Sequence, residues 1–184
     1  MKLPVALALL IAALPASAQA AARQPTTQWV LQQSTLTYHM THPLHNVDGV
    51  SHDARGKGIC QEGECNFLIA VPVKSFDSGD SNRDLHMIEA TRGADYPMVI
   101  VRAQFPQTST GSSTIYANLV VQFAGQTAHY EHVPFQRTSV GNDVRITGTV
   151  PATCSDFKIT RPSFLTVPIS NQIPVSVDST WRPT

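Results

Sequence analysis

IYANLVVQFAGQTAHYEHVPF (residues 115–135) has the pattern of two β-strands joined by a tight turn. In its first half the apolar residues recur at every second position, a period that is typical of a strand with one buried face. That face consists of Ile115, Ala117, Leu119, Val121 and Phe123. The small and polar residues of AGQT at 124–127 indicate the turn. The segment therefore predicts a β-hairpin.

The same alternation recurs along most of the chain after residue 28. The further strand faces consist of Leu36, Tyr38, Met40 and His42; Phe67, Ile69, Val71 and Val73; Val99, Val101, Ala103 and Phe105; Val144, Ile146 and Val150; and Ile173, Val175 and Val177. Turn-forming residues, mostly Gly, Asn, Asp and Pro, separate these runs. About eight strands with short connections predict an all-β antiparallel barrel or sandwich, built as one domain.

Residues 81–91 interrupt the strands with a helical pattern. Ser81 is the expected N-cap, and Asp84, three residues later, completes a pair that is similar to a capping box. Gly93 is the expected stop signal. We expect this short helix to cover one end of the β structure.

Two of the three cysteines, Cys60 and Cys65, lie in the segment CQEGEC between strand-like runs. In an oxidising compartment this spacing favours a disulfide that closes a hairpin. A redox or metal-binding pair is the alternative. Cys154 is left over, and it is either buried or available to join a partner chain, for which a second copy of this protein is one option.

The first 20 residues predict a secretory signal peptide. A positive start at Met1-Lys2 precedes an apolar run, and Ala18-Gln19-Ala20 matches the A-x-A cleavage pattern. The run is too short for a membrane span, which needs about 20 apolar residues. We therefore expect a mature domain over residues 21–184 that does not span the membrane and is periplasmic or secreted.

Charge excludes one class of partner. The chain has 13 Lys and Arg residues against 13 Asp and Glu residues, so its formal net charge is zero. Proteins that bind nucleic acids usually carry a basic patch or stripe, and none is visible here. We therefore expect no nucleic-acid partner.

Several segments together resemble the YceI-like family of secreted lipocalin-like proteins. SFDSGDSNRDLHM (75–87) resembles the central motif of that family, in which Arg-Asp-x-His opens a helix, and YPMVIVRA (96–103) resembles the strand that follows. STLTYHMTH (34–42) resembles the first strand, and CSDFKI (154–159) resembles a late segment of the family. The similarity covers nearly the whole mature chain, and the Arg-Asp-x-His helix is its most specific part.

The resemblance implies an extended antiparallel eight-stranded barrel, folded over a long apolar tunnel, with one short helix at an end. Members of the family hold isoprenoid-chain lipids, including polyprenyl carriers and quinones, and they have no established catalytic residues. The expected function is therefore lipid binding without catalysis. No cofactor is obligatory, and the expected ligand is an isoprenoid quinone or a polyprenyl lipid.

The candidate ligand-binding residues lie on the predicted inward faces and at the start of the helix. They are Leu36, Tyr38, Met40, His42, Phe67, Ile69, Val101, Ile115, Leu119, Phe123, Arg83 and His86. Alternation alone also allows these side chains to fill a closed core. His42 is either a hydrogen-bonded core residue or a donor to a polar head group. The Arg83–Asp84 pair either receives a phosphate or ties the helix to the barrel wall by a partly buried ion pair.

The histidines support a rival hypothesis, because imidazoles bind zinc, copper and haem iron. His39, His42 and His45 recur at every third residue, and His52 follows them. On a strand, however, His39 and His42 point to opposite faces, so a bend is needed to bring three rings together. A hydrolase is disfavoured, because nothing in the sequence resembles a nucleophile elbow or an oxyanion loop. A third option is a barrel that serves as a scaffold for binding a protein partner.

Overall fold

The computed structural model describes residues 25–164 and 166–184, so the predicted signal peptide lies outside the described residues. The described elements, in chain order, are β1 Thr27–His42, β2 His45–Ser51, β3 Arg55–Gln61, β4 Glu64–Pro72, α1 Ser81–Ala90, β5 Met98–Pro106, β6 Thr114–Phe123, β7 Gln126–Val140, β8 Asp143–Val150, β9 Ser163–Phe164, β10 Val167–Pro168 and β11 Val175–Pro183. Three short 3₁₀ helices span Val73–Ser75, Gln107–Gly111 and Ser155–Phe157. No helix in the described part of the chain is long and apolar enough to cross a membrane.

The main sheet is antiparallel and closes on itself. Its strand order is β11-β8-β7-β6-β5-β4-β3-β1-β2, and an additional pairing of β11 with β1 closes the ring. The short strands β2 and β3 both pair with β1, at opposite ends of that 16-residue strand, so together they take one place in the barrel. The predicted eight-stranded antiparallel barrel is confirmed.

The antiparallel order places the connections at two ends of the barrel. At the end that we call the helix end lie the β1–β2 turn, the segment 73–97 with α1, the β6–β7 turn and the segment 151–174. At the opposite end, which we call the disulfide end, lie the β3–β4 hairpin, the segment 107–113, the β7–β8 turn and the last residues of β11.

The hairpin predicted at 115–135 forms as β6 and β7. Ala124 and Gly125 make the turn with φ values of 50° and 73°, and two positive φ angles are the signature of a tight hairpin turn whose twist matches that of the strands. An irregularity that the alternation does not predict lies opposite the step from Ala117 to Leu119, where His132 has a φ of 58°.

The predicted helix forms as α1, but its caps differ from the expected ones. Asp80, not Ser81, is the N-cap, because its carboxylate accepts hydrogen bonds from the backbone N–H groups of Asn82 and Arg83. These two donors hold the pKa of the Asp80 carboxyl below its ordinary value. The helix ends at Ala90, and the residue in the left-handed region is Arg92 (φ 54°), not Gly93.

Arg92 is held in that conformation by its side-chain contacts. Its guanidinium donates to the backbone carbonyl of Ala124 and lies 5.1 Å from the centre of the Tyr96 ring. The Tyr96 ring in turn lies against Gly125, where a Cβ would come within 2.5 Å of it. The chain after α1 is therefore anchored to the β6–β7 turn.

Cys60 and Cys65 form the predicted disulfide. They face each other directly in the β3–β4 register, across a turn in which Glu62 and Gly63 have positive φ angles. Cys154 is buried and has a free thiol, and burial raises the pKa of that thiol. Of the two roles expected for Cys154, the structure therefore shows the buried one.

Loss of the disulfide is expected to destabilise the fold modestly. Replacing both cysteines (Cys60→Ser with Cys65→Ser) lowers the free energy of unfolding by about 2 kcal/mol on the chain-entropy model, because the closed loop is short. Urea denaturation with and without reductant checks this, since the reductant should shift the wild-type midpoint and leave the variant's midpoint unchanged. A variant as stable as the oxidised wild type would show that the disulfide does not constrain the unfolded chain.

Glycines on β3 leave room for aromatic rings inside the barrel. A Cβ on Gly58 would lie 2.4 Å from the Phe67 ring, and a Cβ on Gly56 would lie 2.6 Å from the Trp181 ring. Such distances are below van der Waals contact, so the rings pack directly against a strand that lacks side chains at these points.

A methyl group on Gly58 should therefore cost stability. Gly58→Ala forces the Phe67 ring to move, and we expect the free energy of unfolding to fall by about 1–3 kcal/mol. Gly111→Ala is the matched control, because nothing lies within 4 Å of a Cβ at that position. Denaturant midpoints measure both variants, and equal midpoints would contradict the close packing of Phe67 on β3.

Candidate functional site

The interior of the barrel contains an apolar cavity of about 490 Å³. This volume lies within the range of roughly 300–1,000 Å³ that is typical of small-molecule sites. Inward side chains of β1, β2, β4 to β8 and β11 form most of its wall. Of the two arrangements that alternation allows, a closed core and a hollow one, the structure shows the hollow one.

All twelve candidate residues border this cavity. The wall includes Leu36, Tyr38, Met40, His42, Phe67, Ile69, Val101, Ile115, Leu119, Phe123, Arg83 and His86. Most of the apolar ones are only half-buried, because the cavity lies beside them, whereas Ile115 and Leu119 are buried. Their contact with a ligand stays a prediction.

The cavity reaches solvent at the helix end. His45, Arg83 and His86 border the cavity and are exposed to solvent. At the disulfide end, the bordering side chains of Trp29, Phe105 and Trp181 are half-buried or buried. The barrel is therefore open toward α1 and narrowed at the opposite end.

His42 sits at the edge of this opening and is only 3% exposed. The backbone N–H of Leu44 donates to its Nδ1 at 3.2 Å, and its Nε2 lies 3.1 Å from the backbone carbonyl of Val167. Because Nδ1 accepts, the proton is on Nε2, which donates to Val167. These contacts tie the β1–β2 turn to β10, as expected for a hydrogen-bonded core histidine.

Arg83 and Asp84 both bind Ser78. The Arg83 guanidinium donates to the Ser78 carbonyl at 2.9 Å, and the Asp84 carboxylate accepts from the Ser78 backbone N–H at 3.0 Å. Within the described residues no ion pair joins Arg83 to Asp84, and Arg83 is exposed. The expected partly buried ion pair is therefore wrong: the two side chains instead organise the loop before α1.

Two tyrosines at this end have weakened acidity. Burial, followed by the Asp84 carboxylate, raises the pKa of Tyr38, whose ring packs 5.7 Å from the Phe76 ring. Burial also raises the pKa of Tyr130, whose hydroxyl donates to the Asp156 carboxylate at 2.8 Å. Both phenols therefore stay neutral at the cavity wall, and the alternation does not predict the Tyr130–Asp156 contact.

Of the histidines in the rival hypothesis, the structure brings together only the His42 and His45 rings among the described residues. His39 contacts Asp48 and Ser176, each at 2.8 Å, whereas the His52 ring lies beside Thr35. The His42 and His45 rings have centroids 5.2 Å apart. In residues 25–164 and 166–184 no group of three His, Cys, Asp or Glu side chains could hold a metal ion. The structure thus gives the metal or haem hypothesis no geometric support.

An aromatic cluster fills the disulfide end. The Phe67 ring lies 4.9 Å from that of Trp181 in an edge-to-face contact and 5.5 Å from that of Phe105 in a stacked one, and the Trp29 ring lies 6.4 Å from it. We call Trp29, Phe67, Phe105 and Trp181 the aromatic cluster. Trp29 and Trp181 were not predicted as wall residues, although Trp181 continues the phase of Val175 and Val177.

The barrel is similar to several solved structures, although its sequence matches no protein-family model and no curated protein. The crystal structure of BcnA from Burkholderia cenocepacia matches with a TM-score of 0.69 and 13% identity, over 80% of this chain and 95% of that one. A polyisoprenoid binding domain from Saccharophagus degradans matches with a TM-score of 0.68 and 12% identity, over 85% and 98%.

The YceI protein of Campylobacter jejuni matches with a TM-score of 0.53 and 14% identity, over 62% of this chain and 70% of that one. The chain has a YceI-like fold. Within the YceI-like fold, the segment that carried the resemblance most specifically forms α1 and the loop before it, and YPMVIVRA leads into β5. Identities of 12–14% relate the folds of these proteins and leave the ligand of this one to be argued from its own cavity.

Proposed function

We propose that this protein binds a lipid, namely an amphiphile with an isoprenoid chain such as a quinone or a polyprenyl lipid, in its barrel. The observation that carries the proposal is the apolar cavity that runs inside a barrel open at the helix end. The structural similarity to a polyisoprenoid binding domain supports the same ligand class.

The energetics of such a site favour a long chain without specific contacts. Burial of each methylene is worth about 0.8 kcal/mol, so a chain of several prenyl units gains substantial affinity from the apolar wall alone. Side chains such as Ile69, Val101 and Leu119 offer branched and flat surfaces to the methyl groups and double bonds of the chain.

We propose binding without catalysis. Ser75, a residue with the chemistry of a nucleophile, uses its hydroxyl within the fold: it donates to the Pro72 carbonyl at 2.7 Å and lies 2.6 Å from the Ser51 hydroxyl. In this proposal the protein carries, stores or senses its ligand in the periplasm or outside the cell, as a mature chain that begins near residue 21. The disulfide between Cys60 and Cys65 suits such an oxidising compartment.

Mass spectrometry of an organic extract tests the proposal. The protein is expressed with its leader in a bacterium that makes isoprenoid quinones, purified without detergent and extracted. We expect a prenyl lipid in near-stoichiometric amount, because the apolar wall retains it through purification. An extract without any long-chain amphiphile, from folded protein, would contradict the proposal.

A further inference from the structure

The charged residues that border the cavity have one sign. In the described part of the chain no Asp or Glu borders it, whereas Arg83 and Arg137 do. Arg83 lies at the open helix end and is engaged with Ser78. Arg137 faces inward from β7 near the disulfide end and is half-buried. A cation that borders an apolar cavity needs a physical account, since even partial burial of an unpaired charge is costly.

Arg137 has no acidic partner among the described residues. Its guanidinium donates to the Ser139 hydroxyl at 3.3 Å, which is a long hydrogen bond to an exposed residue on the same strand. The acids of β8, which pairs with β7, and of β11, the next strand in the sheet, are bound by other arginines: Asp143 accepts from Arg182, and Asp178 accepts from Arg145. No carboxylate within the described residues therefore pairs with the positive charge of Arg137.

The strand registers bring Arg137 level with two serines. Arg137 pairs with Ile146 on β8, Ile146 pairs with Ser179 on β11, and Ser179 pairs with Ser34 on β1. All four side chains border the cavity. Neighbouring strands lie about 4.8 Å apart, so Arg137 and Ser34 are separated by roughly 14 Å around the wall. We call Arg137, Ser179 and Ser34 the polar arc.

The Ser34 hydroxyl, in the same part of the cavity wall, lacks a hydrogen-bond partner. Ser34 is 8% exposed, and its hydroxyl is buried. Its neighbour Ser179, by contrast, accepts from Trp181 Nε1 at 3.1 Å. An unpaired buried hydroxyl costs about 1–3 kcal/mol, and nearly all such groups in proteins find a partner. The Trp29 indole N–H, further toward the disulfide end, is unpaired as well.

The Ser34 hydroxyl and the Trp29 indole lack a partner, Arg137 has only the long bond to Ser139, and all three side chains are able to donate. Arg137 and Trp29 offer N–H groups and Ser34 offers an O–H group, and among the described residues that border the cavity no acid accepts from them. Their complement is an acceptor with negative charge. We infer that the polar arc binds the oxyanion head group of a single-chain amphiphile, with the tail extending along the cavity toward the helix end. This inference rests on the proposed lipid-binding function and adds the class and the orientation of the head group.

Three probes that share one tail test the inference: geranylgeranoic acid, its methyl ester and geranylgeranyl phosphate. Equilibrium binding to the delipidated full chain is measured for each. We expect the acid to bind about 10- to 100-fold more tightly than the ester, because hydrogen bonds to a charged group are lost in the ester. If the phosphate shares the preference, the arc accepts oxyanions in general, and if only the acid shows it, the arc is specific for a carboxylate.

Substitutions in the polar arc test whether it causes the preference for the acid over the ester. Arg137→Gln should abolish the preference for the acid and leave the affinity for the ester unchanged, and Ser34→Ala should reduce the preference about fivefold. Arg102→Gln is the matched control, because Arg102 is exposed on the outer face of β5, and this variant should retain the full preference.

If the wild type binds the acid and the ester with equal affinity, the inference is overturned by that measurement alone. So does an Arg137→Gln variant that weakens acid and ester equally, because Arg137 then acts only through the packing of its aliphatic stem. If none of the three probes binds, the proposed lipid-binding function itself fails. That result can be told apart from equal binding of the acid and the ester, which overturns only the inference about the head group.

Discussion

Replacing Val101 by Trp is expected to abolish retention of a prenyl lipid while the barrel stays folded. Val101 lies on β5 in register with Ile69 and Val121, midway along the cavity, and it is half-buried because the cavity lies beside it. An indole ring at this point occupies the path of the chain. Loss of contact with several prenyl carbons lowers the affinity by about a hundredfold or more.

The stability of the Val101→Trp variant should change little, although its affinity for the lipid falls. Overpacking of a filled core costs about 1–3 kcal/mol, whereas an indole that enters an existing cavity costs little. Denaturant unfolding and equilibrium binding of a prenyl probe are both measured. Val120→Trp is the matched control, because Val120 lies on the outer face of the adjacent strand β6, and this variant should bind as the wild type does. Wild-type affinity in Val101→Trp would show that no chain passes the middle of the barrel.

Trp181→Ala should lower the free energy of unfolding more than the disulfide variant or Gly58→Ala does. Trp181 is 6% exposed, lies edge-on to the Phe67 ring and packs on the bare backbone of Gly56. Truncation of a buried Trp costs about 3–5 kcal/mol. It also frees the Ser179 hydroxyl from the indole N–H.

Tyr116→Ala provides the comparison for the loss of an aromatic ring. Tyr116 is 48% exposed, stacked on the His132 ring outside the barrel, and we expect its truncation to cost less than about 1 kcal/mol. The free energies of unfolding of both variants are measured from their urea midpoints with a common m-value. A Trp181→Ala variant as stable as Tyr116→Ala would mean that the aromatic cluster does not hold the disulfide end together.

The strands could be predicted because one physical rule governs them. Inward and outward residues alternate along each strand, so the sequence predicts Leu36, Ile69 and Leu119 on the inner face, where they border the cavity. The same rule fails where the alternation slips. A bulge in β1 near Gln32 shifts the phase, so that Trp29 and Ser34 both face inward although one number is odd and the other even.

The hollow interior could not be predicted from alternation. Whether facing side chains meet depends on the size and closure of the barrel, which local patterning does not encode. The helix was predicted within one residue, but the choice between Ser81 and Asp80 as N-cap depends on which side chain reaches the free N–H groups. The polar arc could not be predicted either, because Ser34, Ser179 and Arg137 are far apart in sequence. Only the combined registers of β7 with β8, β8 with β11 and β11 with β1 bring them to the same level.

The electron density inside the barrel tests the central claim most directly. A crystal of protein purified without detergent should show continuous, elongated density that runs from the helix end past Val101 to the aromatic cluster. Density for isolated waters alone, or side chains that meet across the interior and leave no passage, would contradict the account.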